Sequence, residues 1–309
     1  MHIEKNDINK EAHVSERNLF LKLLEEKTLL ADGAIGTELQ KQGFPLGSCL
    51  EELNITHPEM VKKIHLDYLN AGSDIIQTNS FGGNRSRLKT HGFSDRVVEF
   101  NRRSAELARE ICPKIFIGGS IGPTGDIIEP LGELSEEAAY DIFAEQAEAL
   151  AEGGVDIICI ETMSALEEAE IAIHAAKKIT GLPVIAEMTF RSSRVGPRTE
   201  WGVSVSEAIQ KLAEFGADVI GANCGQGFKE MSVIIEKMRA ITTKPIIAKP
   251  NVGIPEWIDG ISIYRQTPEM IISDAKKLID LGVNILGGCC GTGPAHIKII
   301  RELINVKKT

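Results

Sequence analysis

No stretch of this chain is long and apolar enough to cross a bilayer. Nor does it open with the basic-then-apolar layout of a secretion signal, since Met1-His2-Ile3-Glu4-Lys5-Asn6-Asp7 is polar and mixed in charge. Positive charge is in short supply. The 34 Lys and Arg stand against 44 Asp and Glu, and the resulting net charge of −10 argues against a phosphate-tracking nucleic-acid surface. Aromatic residues make up only 5% of the chain. The 6 cysteines have neither framework spacing nor a CxxC pair. They read as catalytic, metal-binding or buried thiols rather than as disulfides. The expected setting is soluble and cytoplasmic, without nucleic acid or membrane.

What the chain does have is alternation. Eight short β-rich runs, at residues 28–31, 74–77, 115–118, 156–160, 183–188, 218–221, 245–248 and 284–286, are each followed by a longer stretch of helical periodicity. Such near-continuous apolar runs are what parallel strands buried on both faces look like. One intervening helix is expected from Ser135, with Glu136 and Glu137 in its first turn, to Gly153. A faint repeat links the even runs: Gly72-Ser-Asp74, Gly154-Val-Asp156, Gly216-Ala-Asp218 and Gly282-Val-Asn284 each lead into a strand. Eight such units point to an α/β fold, a (β/α)8 TIM barrel over residues 18–309, with a polar N-terminal extension at 1–17. A short helix-like stretch with Leu19, Phe20, Leu23 and Leu24 on one face opens the barrel. A doubly wound open sheet is the runner-up, and it lacks its glycine-rich fingerprint after the first strand.

In a barrel the chemistry sits at the C-terminal ends of the strands. Those ends carry Asp32, Thr78 and Asn79, Ser120, Glu161 and Thr162, Cys224, and the adjacent pair Cys289 and Cys290. Asn79, Glu161, Cys224 and Cys289 are expected at one depth, around one mouth. Neighbouring cysteines bridge each other only with strain. Three thiolates with an open fourth position describe a catalytic zinc site, with Cys224, Cys289 and Cys290 as ligands. Such a centre favours deprotonation of an incoming thiol over activation of water, and the natural reaction is alkyl transfer to sulfur. Cys49, Cys112 and Cys159 read as buried thiols, Cys159 facing inward below Glu161. Asp32 and Glu161 on the same rim are candidate acceptors for an ammonium group. Asn79 and Ser120 either add polar contacts to the same substrate or close turns.

The stretches Asp32-Gly-Ala-Ile-Gly-Thr37, His65-Leu-Asp-Tyr-Leu-Asn-Ala-Gly72, Thr78-Asn-Ser-Phe81, Gly221-Ala-Asn-Cys224 and Gly287-Gly-Cys-Cys-Gly-Thr292 resemble homocysteine S-methyltransferases. That family includes the homocysteine module of cobalamin-dependent methionine synthase and the betaine- and S-methylmethionine-dependent enzymes. The resemblance implies a (β/α)8 barrel with one zinc per chain on Cys224, Cys289 and Cys290. It also implies that Asp32 and Glu161, with the Ser120 region, hold the homocysteine amino group. Ser80 stands where the family usually has Thr. The expected function is methylation of homocysteine to methionine. No histidine has Asp two residues before it, so the corrinoid motif Asp-x-His-x-x-Gly is absent. The expected donor is therefore a methyl-corrinoid (cobalamin) or methylfolate system on a separate protein. The alternative is a small cation such as betaine or S-methylmethionine, for which Phe81, Trp201, Trp257 and Tyr264 are the aromatic candidates. Cys49-Leu-Glu-Glu-Leu-Asn54 resembles the cobalamin- or folate-linked branch. A non-catalytic zinc- or thiol-binding partner subunit is the remaining alternative.

Overall fold

Strand side chains alternate between two faces, so a closed sheet sorts one sequence into two cores. The computed structural model describes residues 19–45, 47–258 and 261–306. The expected extension at 1–17 lies outside the described residues. The strands are β1 (Leu29–Leu30), β2 (Ile75–Gln77), β3 (Phe116–Ile121), β4 (Ile157–Met163), β5 (Val184–Met188), β6 (Val219–Cys224) and β7 (Ile246–Pro250). A hairpin of β8 (Glu256–Ile258) and β9 (Ile261–Ile263) follows, then β10 (Ile285–Leu286). The main sheet is 8-stranded and parallel, in the order β1-β10-β7-β6-β5-β4-β3-β2. Its ends meet through a parallel bridge between Ala31 and Ile75, with Asp32 N donating to Ile75 O at 3.1 Å. This is the (β/α)8 barrel rather than the open sheet. Helices such as Pro58–Asn70, Val97–Ile111, Leu166–Thr180 and Pro294–Val306 carry the chain back between strands. The expected helix is present as Glu136–Glu152, with the Ser135 side chain accepting from Ala138 N.

The outward phase of the strands, including Leu30, Ile76, Ile158, Ile160, Val184, Ala186, Ile246 and Ala248, packs against the helices. Leu29, Ala31, Ile75, Ile157, Cys159, Ile185, Val219, Ile247 and Ile285 form a second cluster on the inward phase. Phe20 and Leu24 from the helix at 19–26 cover it at the N-terminal end, with the Phe20 ring edge-on to Phe116 at 5.2 Å. Leu19 departs from the expected apolar face and is exposed, whereas Leu21 packs against the cluster beside Phe20 and Leu24. Cys159 is buried in the inward cluster, as its phase with Glu161 requires.

The faint repeat has a physical cause. Gly72, Gly154, Gly216 and Gly282 end their helices at φ 99°, 93°, 92° and 78°, the left-handed region open to glycine. Two residues on, an Asp or Asn side chain accepts a backbone N–H from the preceding strand. Asp74 accepts from Leu30 N at 2.8 Å, Asp156 from Ile117 N at 2.6 Å, Asp218 from Val184 N at 2.9 Å, and Asn284 from Ile246 N at 2.9 Å. A basic residue from a flanking helix then bonds both the glycine carbonyl and that side chain. Arg301 serves Gly72 and Asp74, Arg109 serves Gly154 and Asp156, Lys177 serves Gly216 and Asp218, and Arg239 serves Gly282 and Asn284. The same clamp thus closes the N-terminal end of the barrel at each strand pair.

Candidate active site at the barrel mouth

At the opposite end, each strand finishes differently. β4 and β6 run farther than their apolar runs predict, so Glu161, Thr162 and Cys224 are the last turns of strands rather than loop residues. Thr162 and Cys224 have φ of 64° and 59°. A non-glycine residue held there costs about 1–3 kcal/mol, a strain typical of functional sites. Asn223 ties the two strand ends together, accepting from Thr162 N at 2.9 Å and donating to Thr162 Oγ1 at 2.7 Å. The β10 loop is as tightly placed. A Cβ on Gly288 would sit 2.1 Å from Thr292 Cγ2, so only glycine lets the chain turn here. Cys289 N then donates to Pro250 O at 2.8 Å.

These turns bring the sulfurs of Cys224, Cys289 and Cys290 within 4.8 Å of one another. Cys289 and Cys290 remain 4.0 Å apart, far beyond a disulfide bond. Hydrogen bonds from its two neighbours pull the Cys224 pKa far down, while those neighbours are pushed up. Three half-buried thiols sharing charge in this way form a donor set for a soft metal ion. Asn251 adds to the fit. It is buried, its Nδ2 bonds Gly225 O at 2.7 Å and lies 3.5 Å from Cys224 Sγ, and its Oδ1 has no hydrogen-bond partner among the described residues.

The thiols open into a cavity of about 260 Å³ that is also lined by Ile35, Leu50, Thr78, Asn79, Phe81, Ser120 and Glu161. The predicted ring is therefore assembled, with differences in role. Asn79 is committed to the loop framework, donating to Leu50 O at 2.7 Å and Asn54 Oδ1 at 3.1 Å. Thr78 Oγ1 accepts from Ser120 N at 3.0 Å and bonds Ser80 Oγ at 2.6 Å, and Ser80 in turn donates to Ser120 O at 2.7 Å. Asp32 is fully buried behind Gly33 of the cavity wall. Its Oδ2 accepts from Gln77 N at 2.8 Å and its Oδ1 has no hydrogen-bond partner among the described residues. Burial pushes its pKa up to about 8.

Glu161 sits at the centre of a buried polar layer. Its Oε1 accepts from the Ser120 hydroxyl and from Gln77 Nε2 at 3.2 Å. Its Oε2 accepts from Lys249 Nζ at 2.7 Å, with Asn223 Nδ2 at 3.4 Å. Lys249 also donates to Gln77 Oε1 at 2.7 Å and lies 2.9 Å from Glu187 Oε1. Burial would pull the Lys249 pKa down, but the two carboxylates outweigh it and hold the ammonium well above its ordinary value. Burial raises Glu187 to about 7, with Lys249 opposing. Gln77, Glu187, Lys249 and Asn251 escape a reading of strand ends. For the first three the signal is a polar residue two positions after an inward apolar one, Ile75, Ile185 and Ile247, and Asn251 continues the phase of Lys249.

Of the aromatic candidates, Phe81 lines the cavity, on the side of Glu161 and Ser120. Trp201 and Trp257 are 49% and 67% exposed and are not among the residues that line the cavity of about 260 Å³. Trp257 belongs to β8, in the hairpin that follows β7. Tyr264, just past the hairpin, packs where a Gly291 side chain would be and contacts Cys290. Cys224 and Thr162 also border a second cavity of about 480 Å³, walled by Thr189, Arg191, Glu200 and Ile254.

A sequence profile of the homocysteine S-methyltransferase family matches residues 29–304, from β1 to the last helix. The chain belongs to that family. Methionine synthase of Mycobacterium tuberculosis (strain ATCC 25618 / H37Rv) is 29% identical over 96% of this chain, and its Mycobacterium leprae (strain TN) counterpart is 28% identical over 92%. The matches cover 26% and 25% of those proteins, so the chain spans about a quarter of their length. Among solved structures, the metallated form of the homocysteine methyltransferase MmuM from Escherichia coli superposes with a TM-score of 0.74 at 22% identity, covering 89% of this chain and 96% of that one. A methyltransferase from Methanosarcina mazei reaches 0.60 at 11% identity, covering 95% and 99%. Both share the fold.

Proposed function

We propose that this barrel methylates the sulfur of homocysteine, giving methionine, with Cys224, Cys289 and Cys290 holding a zinc ion. The observation that carries the reading is the three-thiol cluster opening into the same cavity as the Glu161 carboxylate. Zinc, when bound by these residues, supplies the Lewis acidity that makes a thiol a thiolate at neutral pH. Asp32 and Glu161 are the acceptors for the substrate ammonium, and Ser120 fixes the Glu161 rotamer. Ile35, Leu50 and Phe81 give the cavity its apolar wall, which excludes water from the reacting sulfur. In the transfer, the substrate S–H loses its proton and the sulfur pair forms the S–CH3 bond. The bond from methyl to donor breaks, and its electron pair leaves with the donor.

The donor is read as a methyl-corrinoid or methylfolate system on a separate protein. Support comes from the mycobacterial methionine synthases, which are 29% and 28% identical over nearly all of this chain. The second cavity beside Cys224 is the natural side for a donor group to reach the sulfur. Free thiols at every described cysteine are in keeping with the reducing cytoplasm. The test is to mix the zinc-loaded protein with homocysteine and each donor in turn, and to assay methionine. Methionine from a methyl-corrinoid protein but not from betaine or S-methylmethionine is expected. Methionine from either small cation alone overturns the donor assignment, and none from any donor overturns the activity.

A further inference from the structure

We propose that Lys249 is a positioning residue for substrate binding: it acts through Glu161, holding that carboxylate aimed at the substrate ammonium. The proposal rests on the reading that Glu161 receives the amine. Lys249 comes from β7, on the inward phase set by Ile247, and its side chain is only 2% exposed. Three acceptors from three strands surround its nitrogen: Gln77 Oε1 at 2.7 Å, Glu161 Oε2 at 2.7 Å and Glu187 Oε1 at 2.9 Å. The contacts to Gln77 and Glu161 are hydrogen bonds, whereas Glu187, whose carboxylate oxygens have no hydrogen-bond partner among the described residues, meets the ammonium as an ion pair.

Two features separate this from a buried ion pair that serves stability alone. First, Glu161 lines the cavity while Glu187 is sealed beneath it, and both carboxylates are within reach of the one nitrogen. Without Lys249, the two carboxylates would share a buried space with no cation between them, and Glu161 would lose the contact that fixes its Oε2. Second, Gln77 relays the same constraint. It accepts from Lys249 and donates to Glu161 Oε1, so each carboxylate oxygen is tied to Lys249 directly or through one amide. Lys249 and Gln77 together thus fix the direction in which Glu161 faces the cavity.

The test is calorimetric binding to the zinc-loaded full chain, comparing homocysteine with its deamino analogue γ-sulfanylbutanoate, which keeps thiol and carboxylate but lacks the amine. The quantity read is the ratio of the two Kd values. Lys249→Met should cut the preference for homocysteine by about tenfold or more, leaving the analogue within about twofold. Glu187→Gln removes the second carboxylate and protects folding. In that background the same Lys249→Met change should cut the preference by a smaller factor, about threefold. Equal weakening of both thiols, or an unchanged ratio in both backgrounds, overturns the proposal while leaving the Glu161 reading in place. A wild-type protein indifferent to the amine overturns both.

Discussion

The two ends of the barrel are built on opposite principles. At the N-terminal end one device appears four times: a left-handed glycine, an Asp or Asn that takes a strand N–H, and a helix-borne cation that bonds both. At the C-terminal end nothing repeats. β2 offers Gln77, β4 Glu161, β5 Glu187, β6 Cys224 and β7 Lys249, and two of the residues there hold a strained backbone. Repetition is affordable where the only task is closure, since any strand pair can be closed in the same way. A reaction needs a thiol cluster on one side and a charged layer on another, which symmetry would forbid. Stability and chemistry are thereby assigned to separate ends, as barrels in general allow.

That division can be broken from either side. The largest effect is expected from Cys289→Ser, which should lower methyl transfer at least about a hundredfold while the urea midpoint of the metal-free protein stays put. Asp156→Ala should do the reverse. It strands Ile117 N and Arg109, and the loss of charge-assisted hydrogen bonds should lower stability by about 2 kcal/mol in urea unfolding. Its Kd for homocysteine should not change, and a large change would show that the ends are coupled.

A smaller effect concerns pH. Burial raises Asp32 from 3.8 to about 8, so the folded chain holds this proton longer than the unfolded chain does. The associated stability is fully present below pH 3.8 and is lost as pH rises through about 8. Relative to Asp32→Asn, the wild type should therefore lose stability over that window, at no more than about 1.4 kcal/mol per pH unit. An ammonium beside Asp32 favours its ionised form, so homocysteine should gain on its deamino analogue as pH rises from 6 to 8, and Asp32→Asn should flatten that trend. The smallest effect is expected from Trp257→Ala, within about 0.5 kcal/mol in stability and without change in homocysteine Kd.

Most of the barrel was legible because its signals are local. Apolar runs mark the strands, Ser135 caps its helix, and the glycine repeat marks the N-terminal clamps. Their cationic partners were not legible, since Arg301 lies 227 residues from Asp74. The cysteines could be read as a site because their glycine settings exclude a core role. Lys249 and Glu187 could not, because each stands in a run otherwise apolar and is explained only by the other, across the barrel.

The central claim is that Cys224, Cys289 and Cys290 together hold a metal ion on which the substrate thiol depends. The most direct test is metal analysis of the full chain after exposure to zinc and desalting, repeated for Cys224→Ser. One zinc per chain in the wild type, lost in the variant together with homocysteine binding, is the predicted result. A wild-type chain that retains no zinc, or a Cys224→Ser chain that binds zinc and homocysteine as well as the wild type, would contradict it.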